Sequence, residues 1–417
     1  MPQHLPYRVL LRSQGGSFVT LGFLGRLPTG VLPLALLLFA HDRLGSFALA
    51  GLAAAALSLG GACGAVLVGH LSDRLGHRVV GIGATVVQTL ALTGFMLACR
   101  PGTPLAPVLA LAALTGFANP QLGAMARARW AQSAAHRADR TAYTASAMAW
   151  EGAIDEVSFV LGPVVATTLA AMAAPLPLIV ALALAWIGQV GFALHHTALP
   201  PAHHGRRRHA ESPDRIDTAM LLWLGLAVGG VGLLFGGSQT SVAAFFTLRD
   251  EAAITGVVYG AMAVGSTVTG LLSARLPARI GSGFRIAGFG LGAALVAPLL
   301  TIAWDAASMA IACLLIGLLV GPVLIAAFAA AERIAPPERT STVMTVLSTA
   351  IVVGVASGAA LAGQLVDAHS PHAAAWIATA GALLAGVAGS FAVRAERAAA
   401  RSGPRRGSEP EGTGDVV

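Results

Sequence analysis

The sequence predicts an all-α polytopic membrane protein, with twelve transmembrane helices in two six-helix bundles. Three observations lead there. The 417 residues are 56% hydrophobic and 11% charged, whereas a soluble domain carries about 45–50% apolar and about 25% charged residues. The apolar residues gather into runs of membrane-spanning length, and the arginines alternate between the loops that join them. With a mean hydropathy of +0.75, these features exclude a soluble enzyme, a nucleic-acid module and a disordered chain.

A span needs about 20 mostly apolar residues to cross about 30 Å of hydrocarbon as a helix. Twelve such runs are present, at 18–40, 47–70, 79–98, 105–126, 143–172, 175–197, 217–247, 253–273, 284–303, 306–331, 341–366 and 372–393. The first is too long for a signal peptide's apolar core, and no small-x-small cleavage site follows it. It is expected to remain as the first span.

All 26 basic residues are arginines. The N-terminus, every second loop and the tail together hold 22 of them, among them Arg127 and Arg129 after span 4. The alternate loops hold three (Arg43, Arg100 and Arg249), and Arg26 stands inside a span. Positive loops stay in the cytoplasm, so both termini are expected there, in the cytoplasmic membrane of the cell. The isoelectric point near 10.5 then reflects topology and contact with the lipid bilayer, with no nucleic-acid partner. The chain divides into a bundle over 1–198, a cytoplasmic linker over 199–216, a second bundle over 217–393 and a disordered tail over 394–417.

The two halves repeat. Gly69-His-Leu-Ser-Asp-Arg-Leu75 follows span 2, and Gly270-Leu-Leu-Ser-Ala-Arg-Leu276 follows span 8, displaced by 201. Asp139-Arg140-Thr141 and Glu338-Arg339-Thr340 stand 199 apart, and Gly116…Pro120 answers Gly317…Pro322. One offset at equivalent places implies two like-oriented halves about an axis along the membrane normal.

The stretch Gly69-His-Leu-Ser-Asp73-Arg74-Leu-Gly76-His77-Arg78 resembles the loop signature of the major facilitator superfamily, departing at His77 and Ser72. Gly162-Pro163 resembles part of a helix-5 motif of that family's exporters, with Ser158 replacing its leading glycine. The helix-4 arginine of many proton antiporters has no match where Asn119-Pro120-Gln121 stand. The resemblance implies alternating access around a cavity lined by helices 1, 4, 7 and 10. It also implies a gate in which Asp73 and Arg74 latch helix 2 to helix 11 near Ser341 and Thr342. Gly69, Gly76, Arg78, Arg275, Gly162 and Pro163 complete the expected gating set; the second copy lacks its acid, having Ala274.

Ionisable groups inside spans are costly and so are functional candidates. Arg26 in span 1 lies at the depth of Glu151, Asp155 and Glu156 in span 5. Glu151 and Asp155 share a helix face. One arginine against three acids leaves three roles open: structural pairing, proton coupling and substrate contact. Among uncharged polar residues, Asn119, Gln121 and Gln239 are expected near the cavity, while Gln88 and Gln189 on outer helices suit interhelical bonds.

Other chemistry is not supported. Cys63, Cys99 and Cys313 are scattered, and the histidines at 195, 196, 203, 204 and 209 fit no zinc template, so no metal is expected. No nucleotide loop occurs and no cofactor is implied. The expectation is a monomeric secondary transporter of a small molecule, not an enzyme. Proton-coupled efflux of a hydrophobic or amphipathic compound is its leading form. The alternatives are proton-coupled uptake of a sugar or organic ion and, more remotely, a membrane-embedded lipid-modifying enzyme.

Overall fold

The computed structural model describes residues 7–135, 137–201, 218–273, 280–335 and 340–402. Within this set, twelve helical spans are long and apolar enough to cross a membrane. They are α1 (Gly16–Leu44), α2 (Phe47–Leu75), α3 (His77–Ala98), α4 (Leu105–Ala134), α5 (Arg140–Met172) and α6 (Leu176–Leu194) in the first half. The second half holds α7 (Thr218–Thr247), α8 (Thr255–Ser273), α9 (Ser282–Ile302), α10 (Ala306–Ile334), α11 (Thr340–Ala368) and α12 (Pro371–Ser402). Odd-numbered helices start on the arginine-rich side. Arg275 and the linker residues 202–216 lie outside the described residues.

Local chemistry sets the helix ends. Gly45 closes α1 at φ 67°, and Ser46 caps α2 by accepting from the Leu49 amide. A single residue, Gly76 at φ 85°, turns α2 into α3, a conformation that favours glycine. Asp305 and Ser308 form a capping box at the start of α10.

In lipid, close approach of backbones takes the place of a hydrophobic drive between helices, and glycine permits it. Gly64 and Gly116 press α2 onto α4, where a Cβ would meet the carbonyl oxygens of Phe117 and Leu57. Gly265 and Gly317, each 201 residues later, press α8 onto α10 in the same way. The repeat read from the sequence is thus also a repeat of contacts. Gly232, Gly236, Gly354 and Gly358 likewise join α7 to α11.

One expectation needs correction. Span 4 does not stop at 126: the helix breaks at Ala118–Gln121 and resumes as Leu122–Ala134. Pro120 has no N–H to continue the ladder, yet nothing in Leu-Gly-Ala-Met-Ala-Arg-Ala-Arg-Trp stops a new helix from starting. Arg127 and Arg129 are therefore helical. Arg129 is buried, donating to the Phe192 carbonyl at 2.9 Å and lying 3.9 Å over that residue's ring. The structure also holds a short helix before the spans, Tyr7–Gln14, which docks Leu10 beside Trp130 and Tyr143.

The halves meet at one end. An apolar core made of α1, α2 and α11 residues, including Val31, Phe47, Ala359 and Val366, joins them on the arginine-poor side. There Gly51 lies on Ala359, Gly363 lies on Phe47, and Gly256 of α8 lies on Pro163 of α5. On the arginine-rich side the clusters are separate: one contains Leu10, Phe18 and Trp130, the other Met220, Ala330 and Val343. Asp73, Arg74 and Leu75 are exposed there.

Candidate functional site

Helix α1 carries Arg26 ten residues from its start at Gly16, about 15 Å along the axis at 1.5 Å per residue. Two contacts fix its direction. Gly25 lies against the backbone of Gly188, in a π-helical stretch of α6 (Ala185–Val190), and Gln189 donates to the Gly25 carbonyl at 3.3 Å. A turn further, Gly30 lies against the Ser158 carbonyl, and Gly162 lies on Gly30 itself. Helices α1 and α5 therefore run at backbone contact, with Arg26 facing the acids of α5.

Arg26 Nη2 donates to Glu151 Oε2, and Arg26 Nε lies 3.4 Å from Asp155 Oδ1. From the resumed segment of α4, Trp130 Nε1 donates to Glu151 Oε1 at 2.6 Å. Arg127 Nη2 donates to Asp155 Oδ2 at 2.5 Å. Four charges and one indole thus form a row across α1, α5 and α4. Among the described side chains the row balances two cations against two carboxylates, with Arg127 joining the expected Arg26. The side chain of Glu156 lies outside the described residues.

The row is graded in its access to water. Arg26 and Glu151 have side-chain exposures of 6% and 1%, whereas Asp155 and Arg127 have 30% and 41%. Buried Glu151 accepts from two donor side chains, as burial of a charge demands, whereas Asp155 accepts from Arg127 and has Arg26 Nε as a nearby charge. Gly123 floors the row: a Cβ there would lie 3.0 Å from Arg127 Nη1 and 3.8 Å from Arg26 Nε. Arg26 Nη1 is buried and makes no hydrogen bond.

The uncharged candidates separate. Asn119 donates to Thr29 Oγ1 at 3.4 Å and accepts from Gln88 at 3.5 Å, tying α4 to α1 and α3 at the break. Gln121 turns back onto the Asn119 carbonyl at 3.2 Å. Gln239 is half-buried on α7 and is not brought to the charged row. Gln88 and Gln189 are buried in interhelical bonds, with Gln189 also accepting from Thr85 at 3.1 Å. His195 is held by Ser17 and Thr197, and no group of three metal-binding side chains occurs among the described residues.

The family model of the Major Facilitator Superfamily matches residues 18–350 and 251–414. The chain belongs to the major facilitator superfamily. Solved structures share the fold. The nucleoside transporter NupG superposes with a TM-score of 0.64 at 16% identity, covering 91% of this chain and 98% of that one. The human organic anion transporter MFSD10 gives 0.60 at 19%, covering 89% and 99%. A bacterial homologue of the human lysosomal transporter Spinster, inward-facing and unoccupied, gives 0.67 at 13%, covering 95% and 98%. No curated protein matches the chain.

Within this superfamily frame, the signature after α2 has visible roles. Gly76 makes the turn, where a Cβ would meet Pro201 Cδ at 3.0 Å. Arg78 donates to the Leu194 carbonyl at the end of α6, and Gly69 has open space around it. Asp73 and Arg74 make no hydrogen bond or ion pair among the described residues. The side chains of Ser341 and Thr342, the expected partners of this latch on α11, lie outside the described residues. Gly162-Pro163 sits at two seams: Gly162 on α1, and the Pro163 carbonyl against Gly256 of α8. Arg127 and Trp130 fall just outside span 4 as hydropathy bounds it, at 126, and so are read as loop residues. The signal that could have found them is the unbroken helix-forming run after Pro120.

Proposed function

We propose that this superfamily member is a proton-coupled secondary transporter that exports a hydrophobic or amphipathic compound by alternating access, working as a monomer. The observation that carries the reading is the Arg26–Glu151–Asp155–Arg127 row, a buried charge network one end of which reaches water on the side where the halves are parted. Charges at this depth are costly and are retained for ion or substrate pathways. In our reading Asp155 is the proton carrier, since it is the carboxylate shared between an inner and an outer arginine. Glu151 holds Arg26 in place. Protonating Asp155 would free Arg127 and leave Arg26 facing the cavity with an unused donor, ready for an acceptor group on the substrate. An apolar groove of about 550 Å³ between α7, α11 and α12, lined by Leu221, Leu226, Val346, Val353 and Leu384, suits an amphipathic body.

The test is transport in proteoliposomes, with candidate compounds first selected by thermal shift. Asp155→Asn should reduce proton-driven flux to the rate without a gradient while substrate exchange persists. Glu151→Gln should lose both together. If Asp155→Asn keeps wild-type gradient-driven flux, coupling through this row is wrong.

The arginine-rich side is read as cytoplasmic, which makes this state inward-facing. In a background without native cysteines, Val79→Cys and Glu332→Cys should resist impermeant thiol reagents in intact cells, while His369→Cys reacts. Labelling at Val79 from outside would reverse the orientation.

A further inference from the structure

The seal on the arginine-poor side is an unusual cap. The first turn of any helix leaves amide N–H groups without partners. At the start of α2, Ser46 serves the Leu49 amide, but the Phe47 and Ala48 amides are served from the other half of the molecule. Asp367, at the end of α11, accepts from Phe47 N at 2.9 Å through Oδ1 and from Ala48 N at 2.9 Å through Oδ2. Ser46 Oγ donates to the same carboxylate. An anion at a helix N-terminus also meets the positive end of the helix dipole.

Helices α2 and α11 are antiparallel in register: Gly51 lies on Ala359, and Phe47 lies on Gly363. Carried along the pair, this register sets Asp367 opposite position 43, four residues before α2 begins at Phe47. Asp73 stands near the C-terminal end of α2, on the side where α11 begins at Thr340. Each helix therefore carries a carboxylate near its C-terminal end, at opposite faces of the membrane. One carboxylate is engaged here and the other is exposed. The internal repeat does not produce this, because 201 residues from Asp73 stands Ala274, and 201 before Asp367 stands Ala166. The repeat-related seam uses a neutral group instead: Thr167 Oγ1 of α5 accepts from the Gly256 amide at the start of α8, at 3.1 Å.

We infer that Asp367 is the latch of the arginine-poor gate, working in opposition to Asp73 on the same helix pair, so that each carboxylate caps its partner helix only when the other is released. The inference rests on the alternating-access reading above. Opening the seal strips two amides and one hydroxyl of a charged acceptor. Closing the opposite side supplies a comparable cap from Asp73. The two states are thereby kept close in energy while each gate remains closed firmly.

The test uses spin-label pairs on the full chain in lipid nanodiscs: Asp42→Cys with His369→Cys on the arginine-poor side, and Val79→Cys with Glu332→Cys on the other. Asp367→Ala should move the ratio of the two states about tenfold towards the one open at the arginine-poor side, in line with losing hydrogen bonds to a charged group. Distances should lengthen there and shorten at the opposite end. Asp367→Asn, which keeps size and one acceptor, should shift it less in the same direction, and serves if the alanine variant fails to fold. Asp73→Ala in the same chain should restore the wild-type ratio. Unchanged distributions in both Asp367 variants, with two populations in the parent protein, would overturn the latch alone. A parent protein with one fixed distance at each end under all ligand conditions would overturn alternating access and the latch with it.

Discussion

Replacing Glu151 with alanine is expected to destabilise the N-terminal half by about 3–5 kcal/mol, the usual cost of stripping one partner from a buried ion pair. The size follows from what is left behind. Arg26 loses its direct acceptor, with Asp155 at 3.4 Å and the Leu122 carbonyl at 3.5 Å remaining, and the Trp130 indole N–H loses the acceptor it has in a fully buried site. Arg26→Ala should cost a similar amount by leaving Glu151 charged and supported by the indole alone. The double variant should cost less than the sum of the two, because no charge is then abandoned. Asp155→Asn should be milder for stability, since its carboxylate and its partner Arg127 both reach water, where ion pairs contribute little. Thermal unfolding midpoints of the four purified variants, taken at one pH and detergent, check this. Additive losses in the double variant would mean that Arg26 and Glu151 do not act as a pair.

The second large effect lies in the backbone. Gly162→Leu is expected to cost about 1–3 kcal/mol or more, the range for overpacking a tight contact. A Cβ at 162 would stand 2.3 Å from the Gly30 carbonyl carbon and 2.6 Å from its Cα, and neither is the flexible end of a side chain. Helices α1 and α5 would have to separate, drawing Arg26 away from Glu151, so transport should fall together with stability. Gly152→Ala on the same helix is the control. Nothing lies within 4 Å of its Cβ, and alanine is the better helix former by about 1 kcal/mol. Equal unfolding midpoints for Gly162→Leu and Gly152→Ala would show that the α1–α5 contact is looser than described.

Much of the architecture was legible in the residues because a bilayer reduces the possible structures. With no water to satisfy backbone groups, an apolar run of about 20 residues must be a helix, so counting runs counted spans. The repeat was legible for a related reason: glycines such as Gly64 and Gly265, at equal offsets, do the same packing work in each half. The scarcity of charge inside spans brought Arg26, Glu151 and Asp155 forward together, and matching their depths placed them on facing helices. The same logic failed at Arg127. Its run follows Pro120 and holds two arginines, so composition assigned it to a loop, while the helix simply restarted beyond the proline.

By itself, then, the sequence determined the helical class, the number of spans, the alternation of arginines and the rarity of intramembrane charge. These all follow from transfer costs that each residue carries with it wherever it folds. The tertiary structure alone decided which acid meets Arg26, that Trp130 and Arg127 complete the row, and that Asp367 reaches across 319 positions to the Ala48 amide. Those partnerships depend on distances of a few ångströms between helices, set by where two glycines let backbones touch. A one-dimensional pattern of hydropathy holds no record of such distances.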